Sequence, residues 1–449
     1  MTAIAIEPPA RDRRTLLLAL VTGFVSFVTF FIVEHQIDSS TRSEAYEDAN
    51  FLDVDLDTMV DDGSTVRKLG FLMFGLLGVG LLALPGRPLP VMSVTTALII
   101  AGVALSAASV LWSVDPSFAA KRVLVLLLIL VGVLGIVRQF SPRQTADLLT
   151  ALAAAYIGLG VLAEIGYGQF RPWSGTYRFG GTTHPNTQGI ICGLFLCSAA
   201  ARITVAGGRR KLAWMAAAGV VALLLYLTKS RTTLAATVVA CGGLLWVRSG
   251  AMLRLVAVVL GVGLVAGGTF VAAALDLPII QKVGDALLLG RGEEASTLTG
   301  RLPLWAELNA DVASRPVLGH GYGSFWTPDV LYRVSATQGW QPSHAHSGYY
   351  ETALNLGLLG LLIVLVAMIA GFGSSLAAEQ TRPSVASGLT VSFITFAAIY
   401  SLADTGFALP TLGSFALAVV LLQSSRLAGG ATSVELPADG EFVRPGLAA

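Results

Sequence analysis

The stretch HSGYYETALNLGLLGLLIVLVAMIAGF, His346 to Phe372, opens on an imidazole and a hydroxyl and then turns apolar for the length of a bilayer crossing. A hydrocarbon core about 30 Å thick takes roughly 17 to 25 apolar residues of helix. The segment 352–372 meets that requirement and carries no charge after Glu351. Loops, helix ends and water account for almost every other polar residue, so a histidine at the mouth of a membrane span calls for a reason. Outward from this span, similar runs recur at about 15–33, 69–85, 91–112, 122–138, 147–165, 187–205, 212–228, 232–247, 255–275, 386–403 and 407–423, which makes twelve. The pair 212–247 is broken only by Lys229-Ser230-Arg231, and it is two spans because one helix of that length would overshoot any bilayer.

Composition agrees. Of 449 residues, 54% are hydrophobic and 13% charged, against about 25% charged in soluble domains. The expectation is an all-α polytopic membrane protein with about twelve transmembrane helices and a long, partly helical external loop. The first run, Thr15 to Val33, follows Arg11, Arg13 and Arg14 but is too long for a cleaved signal and lacks a small-residue cleavage site, so it reads as a retained anchor. Cys192, Cys197 and Cys241 fall inside apolar runs and read as small core residues rather than disulfide or metal partners. A net charge of +1, with no basic tail and no basic-aromatic stripe, gives no reason to expect nucleic acid.

Twelve spans place both termini on one side. Basic residues in short loops favour a cytoplasmic N-terminus and C-terminus, and acidic residues concentrate on the outer side, above all in 34–62. The organisation is then a cytoplasmic N-terminus over 1–14, a membrane domain over 15–423 and a disordered cytoplasmic tail over 424–449. The acidic loop at about 34–68 reads as solvated. The outer segment 276–351 has more structure in it: Leu302, Leu304, Trp305, Leu308 and Val312 approximate a helical apolar stripe, followed by the glycine-rich Gly319-His320-Gly321-Tyr322-Gly323.

Basic residues on the outer side cluster at span mouths: Arg171 and Arg178 before span six, Lys229 and Arg231 in the turn between spans seven and eight, Arg301 before the surface helix. Arginine forks bind phosphate oxygens in pairs, and a lipid-linked diphosphate is the anion to expect at a membrane face. Lipid headgroups or the outer acids are the alternative partners. Arg231, locked in a minimal turn, has least room to reach them.

The pattern His346-Ser347, nine residues, Gly357, two residues, Gly360 resembles the signature of the bacterial O-antigen ligase and O-antigen polymerase family, and every specified position fits. Further pieces are similar in the same order: Arg178-Phe179-Gly180-Gly181 with Pro185-Asn186, Ser230-Arg231, Gly300-Arg301-Leu302 with Trp305, and Pro316-Val317-Leu318-Gly319 with Gly321 and Gly323. The likeness covers 178–372 best, weakens toward Trp112-Ser113 and Asp115-Pro116, and is absent from the N-terminal loop and C-terminal tail. It implies a GT-C-like helical glycosyltransferase of the inner membrane, working at its periplasmic face without metal or cofactor. The implied donor is an undecaprenyl-diphosphate-linked glycan. The acceptor is another glycan or lipid A core, in some relatives a protein hydroxyl.

An acceptor hydroxyl needs a base in the transition state, and neutral imidazole suits that task near neutral pH. His346 is therefore assigned as general base for attack at the anomeric carbon with inversion. Arg231 and Arg301 hold the diphosphate, with Arg178 a third contact. His344 can exchange roles with His346; His184, His320 and Tyr349 are secondary candidates, His35 is interfacial, and Glu351 and Asp311 are reserve bases. Tyr349, Tyr350 and Trp340 suit either sugar stacking or an interfacial aromatic belt. Gly357 and Gly360 read as close-packing positions. Two other classes compete: a transporter of lipid-linked glycans, which would place ionisable groups nearer the bilayer midplane, and a non-catalytic export subunit.

Overall fold

The computed structural model describes residues 13–34, 65–89, 93–252, 254, 301–340 and 342–429. Local chemistry starts the helices. Asp115, Ser141, His184, Thr327, Ser347 and Ser384 each turn a side-chain acceptor onto a backbone N–H two or three residues ahead, and in the first four cases proline follows at once. The described helices are α1 (Arg13–Glu34), α2 (Thr65–Ala83), α3 (Val94–Ala108), α4 (Pro116–Gln139), α5 (Pro142–Gly166), α6 (Pro185–Val205), α7 (Gly208–Leu227), α8 (Arg231–Arg248), α9 (Arg301–Ser314), α10 (Pro328–Gln338), α11 (Gly348–Thr381), α12 (Val385–Tyr400) and α13 (Leu412–Gly429).

Eight of them, α1 to α7 together with α11, are long and apolar enough to cross a membrane, α3 being counted with a short 3-10 turn to Leu111. Helices α8, α12 and α13 stand where further spans are expected but are shorter or, in α8, bounded by Arg231 and Arg248. The chain is a polytopic all-α membrane protein. The expected span 255–275, residues 1–12, most of the acidic loop and the tail from 430 lie outside the described residues. Helix α13 continues to Gly429, past residue 424 where the tail is expected to begin.

Helices α6 and α12 are buried along nearly their whole length, while α7 turns most of its surface outward. Contact between α2 and α4 is backbone to backbone: a Cβ on Gly78 would lie 2.5 Å from the main chain of Val131 and Gly132, the close approach that small residues permit between membrane helices. Phe30, Phe74 and Phe415 close the core beside it, with ring centroids 4.8 to 5.5 Å apart.

Helix α11 departs from expectation. Gly357 is not a simple packing glycine: its φ of 65° and ψ of −169° break the helix. The N–H groups of Leu358 and Leu359 donate to the carbonyls of Pro316 and Val317 (2.8 and 3.2 Å), while the carbonyls of Leu354 and Asn355 accept from His320 and Gly321 (2.8 and 2.9 Å). The strap 316–321 thus takes over the hydrogen bonds that the helix gives up. Gly360 clears Leu356 of its own helix, where a Cβ would lie 2.3 Å away. From Leu358 to Thr381 the helix is about 36 Å long at 1.5 Å per residue, which already spans a bilayer. Outward-facing apolar residues begin there with Leu358, Leu359 and Leu362, whereas Ala353 to Gly357 are buried. The piece 348–356 belongs to a cap built with α9 and α10.

Consecutive loops alternate between two ends of the bundle. At one end Val114 donates to His320 (3.1 Å), Phe179 to Leu227 (2.9 Å), Gly348 to Ser401 and Asp404 (2.9 and 3.0 Å), and Leu412 to the Glu34 carboxylate (2.7 Å). At the other, Arg87 meets Arg138, Arg202 pairs with Asp147, and Arg248 pairs with Glu379.

Candidate functional site

The loop before α11 is held on three sides. Trp305 of α9 donates its indole N–H to the Ala345 carbonyl (2.8 Å) and stacks on Tyr350 with centroids 5.3 Å apart. The Glu351 carboxylate, buried, accepts the Ala345 N–H (3.0 Å), the Trp326 indole N–H (3.1 Å) and the Asn355 amide (3.1 Å). Ser347 caps α11 through Tyr350 N–H and donates its hydroxyl to Ser401 O (3.1 Å). Between these anchors His346 adopts a left-handed backbone, φ 49°, which costs a non-glycine residue about 1–2 kcal/mol. Its N–H donates to His344 Nδ1 at 3.3 Å. The His346 ring lies 4.1 Å from that of His344 and 5.3 Å from Trp340, and among the described residues neither of its nitrogens is hydrogen-bonded.

Around this imidazole the bundle assembles a cationic wall. Arg231 stands in the first turn of α8, reached through Lys229 in a left-handed turn at φ 53°. It lies near enough to Arg301 for the two charges to oppose each other. Arg178 is the clamp of this wall, donating to Thr228 O (3.1 Å) and to Asn186 Oδ1 (3.5 Å). Its loop is shaped from below by Glu164, whose carboxylate accepts the N–H groups of Gly180 (3.0 Å) and Gly181 (2.7 Å). His184 caps α6 by accepting Asn186 N–H at 3.2 Å. Asn186 in turn donates to Asp404 Oδ2 (3.0 Å), which lies 3.9 Å from Arg301 Nη2. The amino ends of α6, α8 and α11 all meet this cluster, and the positive ends of their helix dipoles add to its attraction for an anion.

Electrostatics follow from this crowding. Burial, then the neighbouring His344, Arg301 and His184, lower the His346 pKa to about 3. His344 is lowered by burial too, against the pull of Asp404 and Glu351, and burial lowers Arg301 although Asp404 opposes the shift. The His346 lone pair is therefore free at neutral pH, and its affinity for a proton is poor because burial and the neighbouring His344, Arg301 and His184 all disfavour the charged ring. An anion bound beside Arg301 would offset the part of this shift that Arg301 contributes and make the imidazole a better base. Among the described residues no group of three or more His, Cys, Asp or Glu is placed to hold a metal ion.

The structure brings His346, His344, His184, Arg231, Arg301 and Arg178 to one cluster. It does not bring His320 there: the His320 ring bonds Asp311 O (3.1 Å) and packs on Phe325, and its charged neighbours are Arg315, Asp311 and Arg333. Tyr349 also turns away, donating its hydroxyl to Ala398 O at 2.8 Å to fasten α11 to α12. The reserve bases are occupied, Glu351 by its three donors and Asp311 by Arg333 at 2.9 Å. Tyr350 spends its hydroxyl on Asn309 (3.0 Å). Sequence reading passed over Asp404 and Thr405. The available signal was a carboxylate in the short turn between two spans, on the side where the arginines gather.

Residues 214–365 match the family model described as O-antigen ligase, which takes in Arg231, Arg301, both histidines of the loop and the break at Gly357. The chain is also 27% identical over 282 residues to the exopolysaccharide production protein ExoQ of Rhizobium meliloti (strain 1021), covering 59% of this chain. The match spans 61% of that relative's length. The family model's match takes in the His346 loop and the helices on either side of it, and over that segment the chain is similar to the O-antigen ligase family.

Proposed function

We propose that this protein transfers or polymerises glycan from an undecaprenyl-diphosphate carrier at the outer face of the cytoplasmic membrane, with N- and C-termini inside, in the making of a surface polysaccharide. The observation that carries this reading is an unbonded imidazole, His346, beside a wall formed by Arg231, Arg301 and Arg178. The diphosphate lies on the arginines, which stabilise charge growing on the leaving oxygen. His346 takes the acceptor hydroxyl's proton as that oxygen attacks the anomeric carbon from the face opposite the diphosphate, which inverts the configuration. Donor binding, by compensating Arg301, is what raises the base to its task. A relative named for exopolysaccharide production favours a growing glycan over lipid A core as acceptor.

Reconstitution of the purified protein with undecaprenyl-diphosphate glycan tests this. His346→Ala is expected to lose transfer by about a hundredfold or more, the usual worth of a general base, and Arg231→Ala to weaken donor use. Full transfer by His346→Ala rejects the base. Products in a ladder of lengths without lipid A core select polymerase, and a single addition to lipid A core selects ligase.

A further inference from the structure

His344 differs from its neighbour in one respect that geometry decides. Its Nδ1 receives the backbone N–H of His346 (3.3 Å) and stands 2.9 Å from the hydroxyl of Thr405. A backbone N–H can only donate, so Nδ1 must carry the lone pair, and the proton of the neutral ring sits on Nε2. Thr405 then also donates to Nδ1. It is buried and held in place by its own N–H on Asp404 Oδ1 (2.8 Å). A proton arriving on Nδ1 would face two donors, so His344 is disqualified as the base.

The Nε2–H finds no acceptor among the described residues. The two carboxylates nearby are taken: Glu351 by Trp326, Ala345 and Asn355, and Asp404 by Thr405, Asn186 and Arg301. A half-buried donor left so, close enough to Arg301 to feel its charge, calls for an incoming oxygen. We propose that His344 is locked by Thr405 and the His346 backbone as the Nε2–H tautomer, and donates a hydrogen bond, keeping its proton, to a phosphate oxygen of the donor beside Arg301. This rests on the diphosphate-donor reading above. The two histidines of the loop thereby divide the work, His344 toward the leaving group and His346 toward the acceptor.

Amide side chains separate the possibilities, because the glutamine amide reaches the position of Nε2 and the asparagine amide that of Nδ1. The measurement is binding of undecaprenyl diphosphate alone to the full-length protein in nanodiscs, followed by kcat and donor KM. His344→Gln is expected to bind within about threefold of wild type and His344→Asn to bind about tenfold or more weakly, as for loss of a hydrogen bond to a charged group. Asparagine tolerated where glutamine is not would mean that His344 only braces the loop, and equal behaviour of the two also overturns the proposal. Thr405→Val is expected to weaken binding and Thr405→Ser to restore it; wild-type binding by Thr405→Val rejects the lock. Because these are binding readouts, they remain decisive if His346→Ala keeps full transfer and the base reading falls.

Discussion

Replacing Gly357 by alanine puts the helix break itself to the test. The glycine sits at φ 65°, ψ −169°, a region that is essentially glycine-only and costs another residue about 1–3 kcal/mol. The added Cβ would lie 2.2 Å from Val317 O and 2.6 Å from Leu318 N, so the strap must also move. Moving it endangers four backbone hydrogen bonds, from Leu358 and Leu359 to the strap and from His320 and Gly321 to the helix. An alternative is open to α11. In a straight helix Leu358 and Leu359 would donate to Leu354 and Asn355, which satisfies the helix and orphans the strap. At about 1 kcal/mol for each of even two strap bonds added to the backbone strain, the broken form loses at least about 3 kcal/mol, a factor of more than a hundred in population. The expected result is a transfer rate reduced about a hundredfold with far-UV helicity preserved or raised, together with new protease access at 316–323. A Gly357→Ala protein with wild-type kcat and wild-type protection of the strap would refute the reasoning.

Other consequences are open to direct measurement. His346 is held near pKa 3 against an ordinary value of about 6.5, so between those values the unfolded chain binds more protons and stability falls as pH drops. His346→Gln should flatten the decline of Tm from about pH 6.5 downward, and a curve superposable on wild type counts against this account. At the opposite end of the bundle Glu379 receives Arg248 (2.5 and 2.8 Å) and Ser387 (2.6 Å), with Arg248 also donating to Ala201 O and Ser384 O. Removing one partner of a buried pair costs about 3–5 kcal/mol, so Glu379→Ala should lower Tm sharply in detergent, and an unchanged Tm would show the pair to be solvated. For orientation, a cysteine at the exposed Ala336 of α10 should react with an impermeant thiol reagent in intact cells, and one at the exposed Arg209 only after lysis; the reverse pattern inverts the topology.

Spans such as 15–33 and 187–205 could be read from the chain because crossing a bilayer depends on the summed apolarity of about twenty consecutive residues, a local quantity. The His346-Ser347 pair, the outer arginines and the glycine spacing were visible for the same reason: each is a short pattern in one stretch. Tertiary structure decided what those residues do to one another. That Gly357 breaks its helix depends on carbonyls some forty residues earlier taking its hydrogen bonds, a pairing with no local sign. Tyr349 and His320 could not be excluded from the site until Ala398 and Asp311 were seen to hold them. The tautomer of His344 was set by the folded turn that brings the backbone N–H of His346 onto its Nδ1, with Thr405, sixty-one residues further on, as the second partner there, since a proton's position follows from the partners that folding brings within hydrogen-bond reach.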